Sequence, residues 1–261
     1  METDGAAAAT GASSRALWVP RQHGAWAMLA VPLLLGVAAT APSGWQIILA
    51  IAAVAGYLVA ATAQAWLRAR RRPSFVPSLV AYGAVVVVSG TVLLVAFPAL
   101  ALAAIVVIPA GALVVGGARP GTPRDLANSL GQTAIALVLV PAAGAVSGAW
   151  EADAVVRATL VAAGYLIGTV LVVRSVIRQR GNRAFAGLSV GFHAAVTVAA
   201  AATLAWPWAV YFAGLTCRAV ALPLVERRWS GGARPLRPVH VGIVEIVAST
   251  ALVVLAFAVP F

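Results

Sequence analysis

Lysine is missing from the chain, so all 18 basic residues are arginine, and only 7 acidic residues stand against them. There is one cysteine, Cys217, and it lies inside an apolar run, which excludes an intrachain disulfide framework. The three histidines are far apart in sequence and no His/Cys cluster has zinc spacing. Magnesium and calcium want several carboxylates, and those are scarce, so no metal site is expected. There is no phosphate-binding glycine loop, no CxxC pair and no convincing Ser/His/Asp arrangement. Charged residues make up 10% of the chain, against about a quarter in soluble domains. The opening "METDGAAAATGASS" lacks the basic start and small-residue cleavage site of a signal peptide. Residues 1–17 read as a disordered cytosolic tail, and 18–261 as one transmembrane domain.

What the chain has is apolar length. It is 62% hydrophobic, with a mean hydropathy of +0.98. No water-soluble fold of this size could hide that surface. About 20 apolar residues cross a bilayer as a helix. Segmenting at charges, prolines and turn clusters gives nine spans, near 23–41, 45–67, 76–97, 99–117, 125–148, 154–177, 186–204, 207–225 and 239–260. The expected fold is therefore an all-α polytopic bundle. Pro32, Pro109, Pro141 and Pro223 fall inside spans, where membrane helices tolerate a kink.

The net charge of +11 does not point to nucleic acid, because the arginines are scattered between apolar spans and form no basic face. They follow topology instead. The loops "RARRRPSF", "ARPGTPRD", "RQRGNRAF" and "ERRWSGGARPLRP" are basic, and "APSG", "FPAL", "WEAD" and "AWPW" carry no arginine. Cytosolic loops carry the arginine excess, which orients the chain N-in and C-out.

An internal repeat is legible. "AGYLVA" at 55–60 recurs as "AGYLIG" at 163–168, an offset of 108, and "HGAWAMLAVP" at 23–32 lies against "QTAIALVLVP" at 132–141, an offset of 109. A period of four spans implies two copies in the same orientation plus a ninth helix, as in transporter-type repeats.

Polar groups inside a membrane are costly and are functional candidates by default. His23, Gln64, Asp125, Asn128, Gln132, Arg174, His193, Arg218 and Glu245 all fall within roughly 12 Å of the cytosolic helix ends, and none near the outer ends. Asp125, Asn128 and Gln132 share one helix face, and Arg174 and Arg178 are one turn apart. "PRQHGAW" (20–26) brings Gln22 and His23 to the same depth. Arginine's planar fork suits phosphate or carboxylate, so this layer reads as a cytosol-facing anion cavity. Tyr57 and Tyr165 read as packing.

At "WVPRQHGAWAMLAVPLLLG" (18–36), "GTVLVVRSVIRQRG" (168–181) and "GIVEIV" (242–247) the chain resembles the YwiC-like family of bacterial membrane proteins. That family is multi-spanning and biochemically uncharacterised, and the resemblance singles out His23, Gly24, Trp26, Arg174, Arg178 and Glu245. The helix count and the polar loops after spans 2 and 6 are also similar, more distantly, to UbiA-type prenyltransferases. Those enzymes carry aspartate-rich magnesium motifs where this chain has "AQAWLRARRR" and "VVRSVIRQRG".

Three functions are compatible with these readings. The first is a protein that binds or modifies an anionic, phosphorylated lipid or isoprenoid. There Arg174 and Arg178 hold the head group, Arg68 and Arg70 assist, and His23 moves a proton, oriented by Gln132 or Glu245. The second is a small-solute transporter. The third is a non-catalytic membrane assembly partner.

Overall fold

The computed structural model describes residues 18, 23–117, 126–149, 152–230 and 238–261, without the side chains of 23–25, 229 and 230. Among these residues there is no strand, and nine helical spans follow one another. They are α1 (His23–Ala38), α2 (Gly44–Arg68), α3 (Val76–Ala96), α4 (Pro98–Gly116), α5 (Leu126–Val146), α6 (Asp153–Ile177), α7 (Arg183–Thr203), α8 (Trp206–Ser230) and α9 (Pro238–Ala258). The protein is a polytopic helical bundle, with eight spans long and apolar enough to cross a membrane. The shorter ninth is α1, with 16 residues, or roughly 24 Å of rise. Short connections make consecutive helices run up and down, so the arginine-bearing ends of α2, α6 and α8 lie at one end.

Local chemistry sets the helix ends. Ser43 caps α2 in a capping box: its hydroxyl accepts from Trp45 N–H at 3.3 Å, and its own N–H donates to Gln46 Oε1 at 3.1 Å. At the other end the Arg71 N–H donates to Trp66 O and the Arg70 N–H to Leu67 O, the paired bonds of a Schellman motif. That motif places Arg70 and Arg71 at φ 52° and 61°, a region glycine usually fills. Asn182 caps α7, accepting from Phe185 N–H at 3.0 Å. Helix α4 opens with a 3-10 segment from Pro98. Helix α5 is interrupted at Val138, where Pro141 has no N–H for Leu137 O and its ring displaces that carbonyl.

The centre of the bundle is α6, whose most apolar window is 61% buried, whereas that of α4 is 6% buried and faces lipid. Helices α1 and α5 cross beside α6. No hydrophobic force drives helices together in lipid, so close approach of small residues must do it. Gly36 shows this, since a Cβ there would meet Ala143 Cβ at 2.6 Å and Val140 O at 3.0 Å. Val31 and Val140, paired by the sequence offset, lie in the same buried cluster. The pairing of helices nevertheless differs between the two halves: α2 packs chiefly along α3, whereas α7 packs chiefly along α8.

Candidate functional site

The polar residues expected in one shallow layer divide into three groups at different depths. The deepest is an ion pair. Arg218 Nη1 donates to both carboxylate oxygens of Glu245, at 2.7 and 2.8 Å. Thr169 Oγ1 donates to Glu245 Oε2 at 3.0 Å. Arg218 Nη2 lies 3.4 Å from His193 Nε2. A guanidinium has no acceptor, so Nε2 must accept and the ring proton sits on Nδ1. There it donates to Ser189 O at 2.7 Å. Gly168 makes room for this ring, since a Cβ would lie 2.8 Å from His193 Nε2. Burial is nearly complete, with Arg218 and Glu245 side chains 8% and 15% exposed. The cluster joins α6, α7, α8 and α9.

Two positions in this cluster lie far along their helices. Arg218 stands twelve residues from either end of α8, roughly 18 Å in, and His193 ten residues from either end of α7, roughly 15 Å in. Both are mid-helix, while Glu245 and Thr169 in the same cluster stand seven and eight residues from the nearer ends of α9 and α6, roughly 10–12 Å in. The cause is that α8 runs on through the polar Glu226, Arg227 and Arg228, and α7 begins at Arg183, beyond where the apolar runs stop.

The second group lines a partly open cavity of about 320 Å³ bordered by α1, α2, α4 and α5. Its walls are apolar except for Tyr57, Gln64 and Gln132. Tyr57, Gln64 and Arg68 follow i, i+7, i+11, one stripe along α2 that climbs toward the arginine-rich end. Arg68 Nη2 donates to Gln64 Oε1 at 3.4 Å. Across the cavity, Gln132 Nε2 donates to Asn128 Oδ1 at 3.0 Å. Asn128 is buried against the end of α4, where a Cβ on Gly117 would meet its amide. Trp26 packs edge-on to Tyr57, centroids 5.4 Å apart. Tyr57 is therefore part of the cavity wall rather than filler, and the signal available in sequence was its register with Gln64.

The third group is at the arginine-rich end. Arg70 and Arg178 are exposed, Arg174 is half-buried, and none of the three lines the cavity. Arg71 lies over the Trp66 ring at 5.6 Å. Gln22 and Asp125, and the side chain of His23, lie outside the described residues, as does the proposed tail at 1–17; His23 and Gly24 open α1. No group of three or more His, Cys, Asp or Glu comes together among the described residues.

Sequence reasoning missed a fourth polar knot, at the arginine-poor end. Gln46 Nε2 donates to Ser147 Oγ at 2.9 Å and to Thr40 Oγ1 at 3.1 Å, tying α1, α2 and α5 together. Gln46 is 5% exposed. Polar groups are thus buried near that end as well, contrary to the expected single layer. A glutamine three residues after a helix-capping serine was the available signal.

Comparison with known proteins agrees with the family likeness. Residues 19–143 match a family described as YwiC-like protein. The chain is 29% identical over 234 residues to a Bacillus subtilis (strain 168) protein described as Uncharacterized protein YwiC, covering 88% of this chain and 92% of that one. No solved structure gives a significant match, and the likeness to UbiA-type prenyltransferases gains no support.

Proposed function

We propose that this YwiC-like membrane protein holds an amphiphile in the α1–α2–α4–α5 cavity. The apolar chain would lie along Met28, Val107 and Ile135, and an anionic, phosphorylated head would lie at the arginine-rich end. One observation carries this reading: an apolar chamber extends from the level of Gly56 toward Gln64, with Arg68 one turn further on. An amphiphile needs that order of surfaces, and a purely structural helix seam does not. Arg68 and Arg70 supply the head-group charge, and a guanidinium fork matches phosphate oxygens. Arg174 and Arg178, which do not line the cavity, contribute to the surface potential of that end. The arginine-rich end faces the cytosol of a bacterial cytoplasmic membrane.

The test is native mass spectrometry of the purified protein beside Gly111→Leu. Gly111 lines the cavity and a Cβ on it meets nothing within 4 Å, so a larger side chain has room to grow there. Wild type should retain a lipid or isoprenoid phosphate that the variant loses. Equal retention in both proteins, or none in either, refutes the reading.

A further inference from the structure

We infer that the molecule in this cavity carries a free hydroxyl close behind its anionic head, and that Gln132 accepts a hydrogen bond from it. The inference rests on the cavity reading above and goes beyond it, because a simple alkyl or isoprenyl phosphate has no such donor.

Gln132 is the polar side chain that the cavity leaves accessible. Gln132, Ile135 and Ala136 follow i, i+3, i+4 on α5 and all line the cavity, so this face of the helix is a wall of it. Gln132 is exposed there. Gln64 on α2 is 7% exposed, and its carbonyl oxygen already accepts from Arg68. The Tyr57 hydroxyl is buried and reaches no ligand.

Amides in membranes commonly tie helices together. Gln132 ties none, because its hydrogen bond runs from Nε2 to Asn128 Oδ1, one turn back on the same helix. That bond orients the amide instead. Asn128 is buried against Gly117 at the end of α4, which makes it a fixed anchor. With one N–H of Nε2 committed to Asn128, Oε1 lies on the opposite edge of the amide. Among the described residues Oε1 has no donor. A carbonyl oxygen left without a donor at this depth is costly, and an O–H on the ligand is its complement.

Depth sets where that hydroxyl lies. Gln132 stands six residues into α5, and Arg68 ends α2 at the same end of the bundle. Helix side chains lean toward the N-terminus. Arg68 therefore leans into the bundle and Gln132 toward the arginine-rich end, as their bonds to Gln64 and Asn128, each four residues back, show. The guanidinium and the amide thus converge in depth. A hydroxyl on the carbon next to the one bearing the phosphate meets this spacing, as in a monoalkyl- or monoacylglycerol phosphate.

The test uses the full-length protein in nanodiscs and three competing probes of equal chain length. The first is a monoalkylglycerol phosphate with a free hydroxyl on its central carbon. The second has hydrogen in place of that hydroxyl, and the third a methoxy group. Wild type should prefer the first over the second by about fivefold, the value of one neutral hydrogen bond. The methoxy probe keeps the oxygen without the donor and should bind no better than the second. Gln132→Leu should bind the first and second equally. Equal binding of those two to wild type overturns the inference while leaving the cavity reading intact. So does a methoxy probe that matches the hydroxyl probe, or a preference that survives in Gln132→Leu. Binding of every probe that persists unchanged in Gly111→Leu, or no binding at all, overturns both. Thermal unfolding shows whether Gln132→Leu is folded; if it is not, the three probes on wild type decide alone.

Discussion

Removing Glu245 should be more damaging than removing any other charge in the bundle. The Glu245→Leu variant leaves Arg218, 8% exposed and near the middle of α8, with no carboxylate. Breaking one partner out of a buried pair costs about 3–5 kcal/mol, because the remaining charge stays buried uncompensated. The loss is not symmetric. In Arg218→Met the carboxylate can neutralise itself by taking a proton and keeps its bond from Thr169, whereas a guanidinium cannot shed its proton. Arg218→Met should therefore cost less than Glu245→Leu. The double variant removes both charges, and well-packed apolar replacements for a buried pair are often neutral or better, so it should recover to within about 1 kcal/mol of wild type. Reversible unfolding in mixed micelles, read as a double-mutant cycle, gives the coupling energy. A coupling below about 0.5 kcal/mol, the level common for hydrogen bonds between membrane helices, would refute the reasoning.

Further outcomes follow from individual contacts. Gly36→Leu should destabilise by about 1–3 kcal/mol through overpacking at the α1–α5 crossing, where even a Cβ meets Ala143 Cβ at 2.6 Å; an unchanged unfolding midpoint contradicts that crossing. Arg70→Gly relieves a non-glycine residue at φ 52° and should raise stability by roughly 0.5–1 kcal/mol on thermal unfolding. A loss instead would mean that the Arg70 side chain contributes more than its backbone costs. Gln46→Leu removes two interhelical bonds, while Thr40 and Ser147 keep Gly36 O and Ala143 O as acceptors, so it should cost about 0.5–1.5 kcal/mol, with protease cutting at the α1–α2 connection as an independent readout. An alkaline phosphatase fused after Phe261 should be active if the arginine-rich end is cytosolic.

The spans were legible because lipid imposes a length and loops carry the arginines, and those two constraints are nearly one-dimensional. Depth was not. Arg218 is mid-helix because α8 continues to Ser230 past the apolar run that stops at Val225, yet its partner Glu245 lies only seven residues into α9. Helix length is set by backbone hydrogen bonds and not by hydropathy, so charged residues in the last turns extend it unseen. The pairing of Arg218 with Glu245, and the addition of His193 and Thr169, needed the crossing of four helices. Gln46 escaped notice because it sits in the first turn of α2, where a polar residue reads as a helix cap, and its side chain also reaches across to Ser147. Tyr57 and Tyr165 look alike in "AGYLVA" and "AGYLIG", and only neighbours distant in sequence make one of them a wall of a cavity.

Those neighbours also bear on what fills the space. A space of about 320 Å³ that is partly open to its surroundings is not left empty in a membrane, because lining atoms without neighbours forfeit their dispersion contacts. The chain could have closed it cheaply, because Gly56 and Gly111 both accept a Cβ without contact, and replacing a helix-interior glycine by a larger residue gains up to about 1 kcal/mol per site in helix propensity. Two such glycines on one apolar wall are thus costly twice over unless something occupies the cavity. Gly111→Leu separates the occupants. If bulk lipid chains fill the space, the variant should be more stable than wild type in every lipid. If a particular amphiphile fills it, the variant should be more stable only after exhaustive delipidation, and wild type should overtake it when the native extract is returned, by RT ln(1 + [L]/Kd). A variant less stable than wild type in the delipidated state would mean that the cavity is not open in the membrane, and the amphiphile reading would go with it.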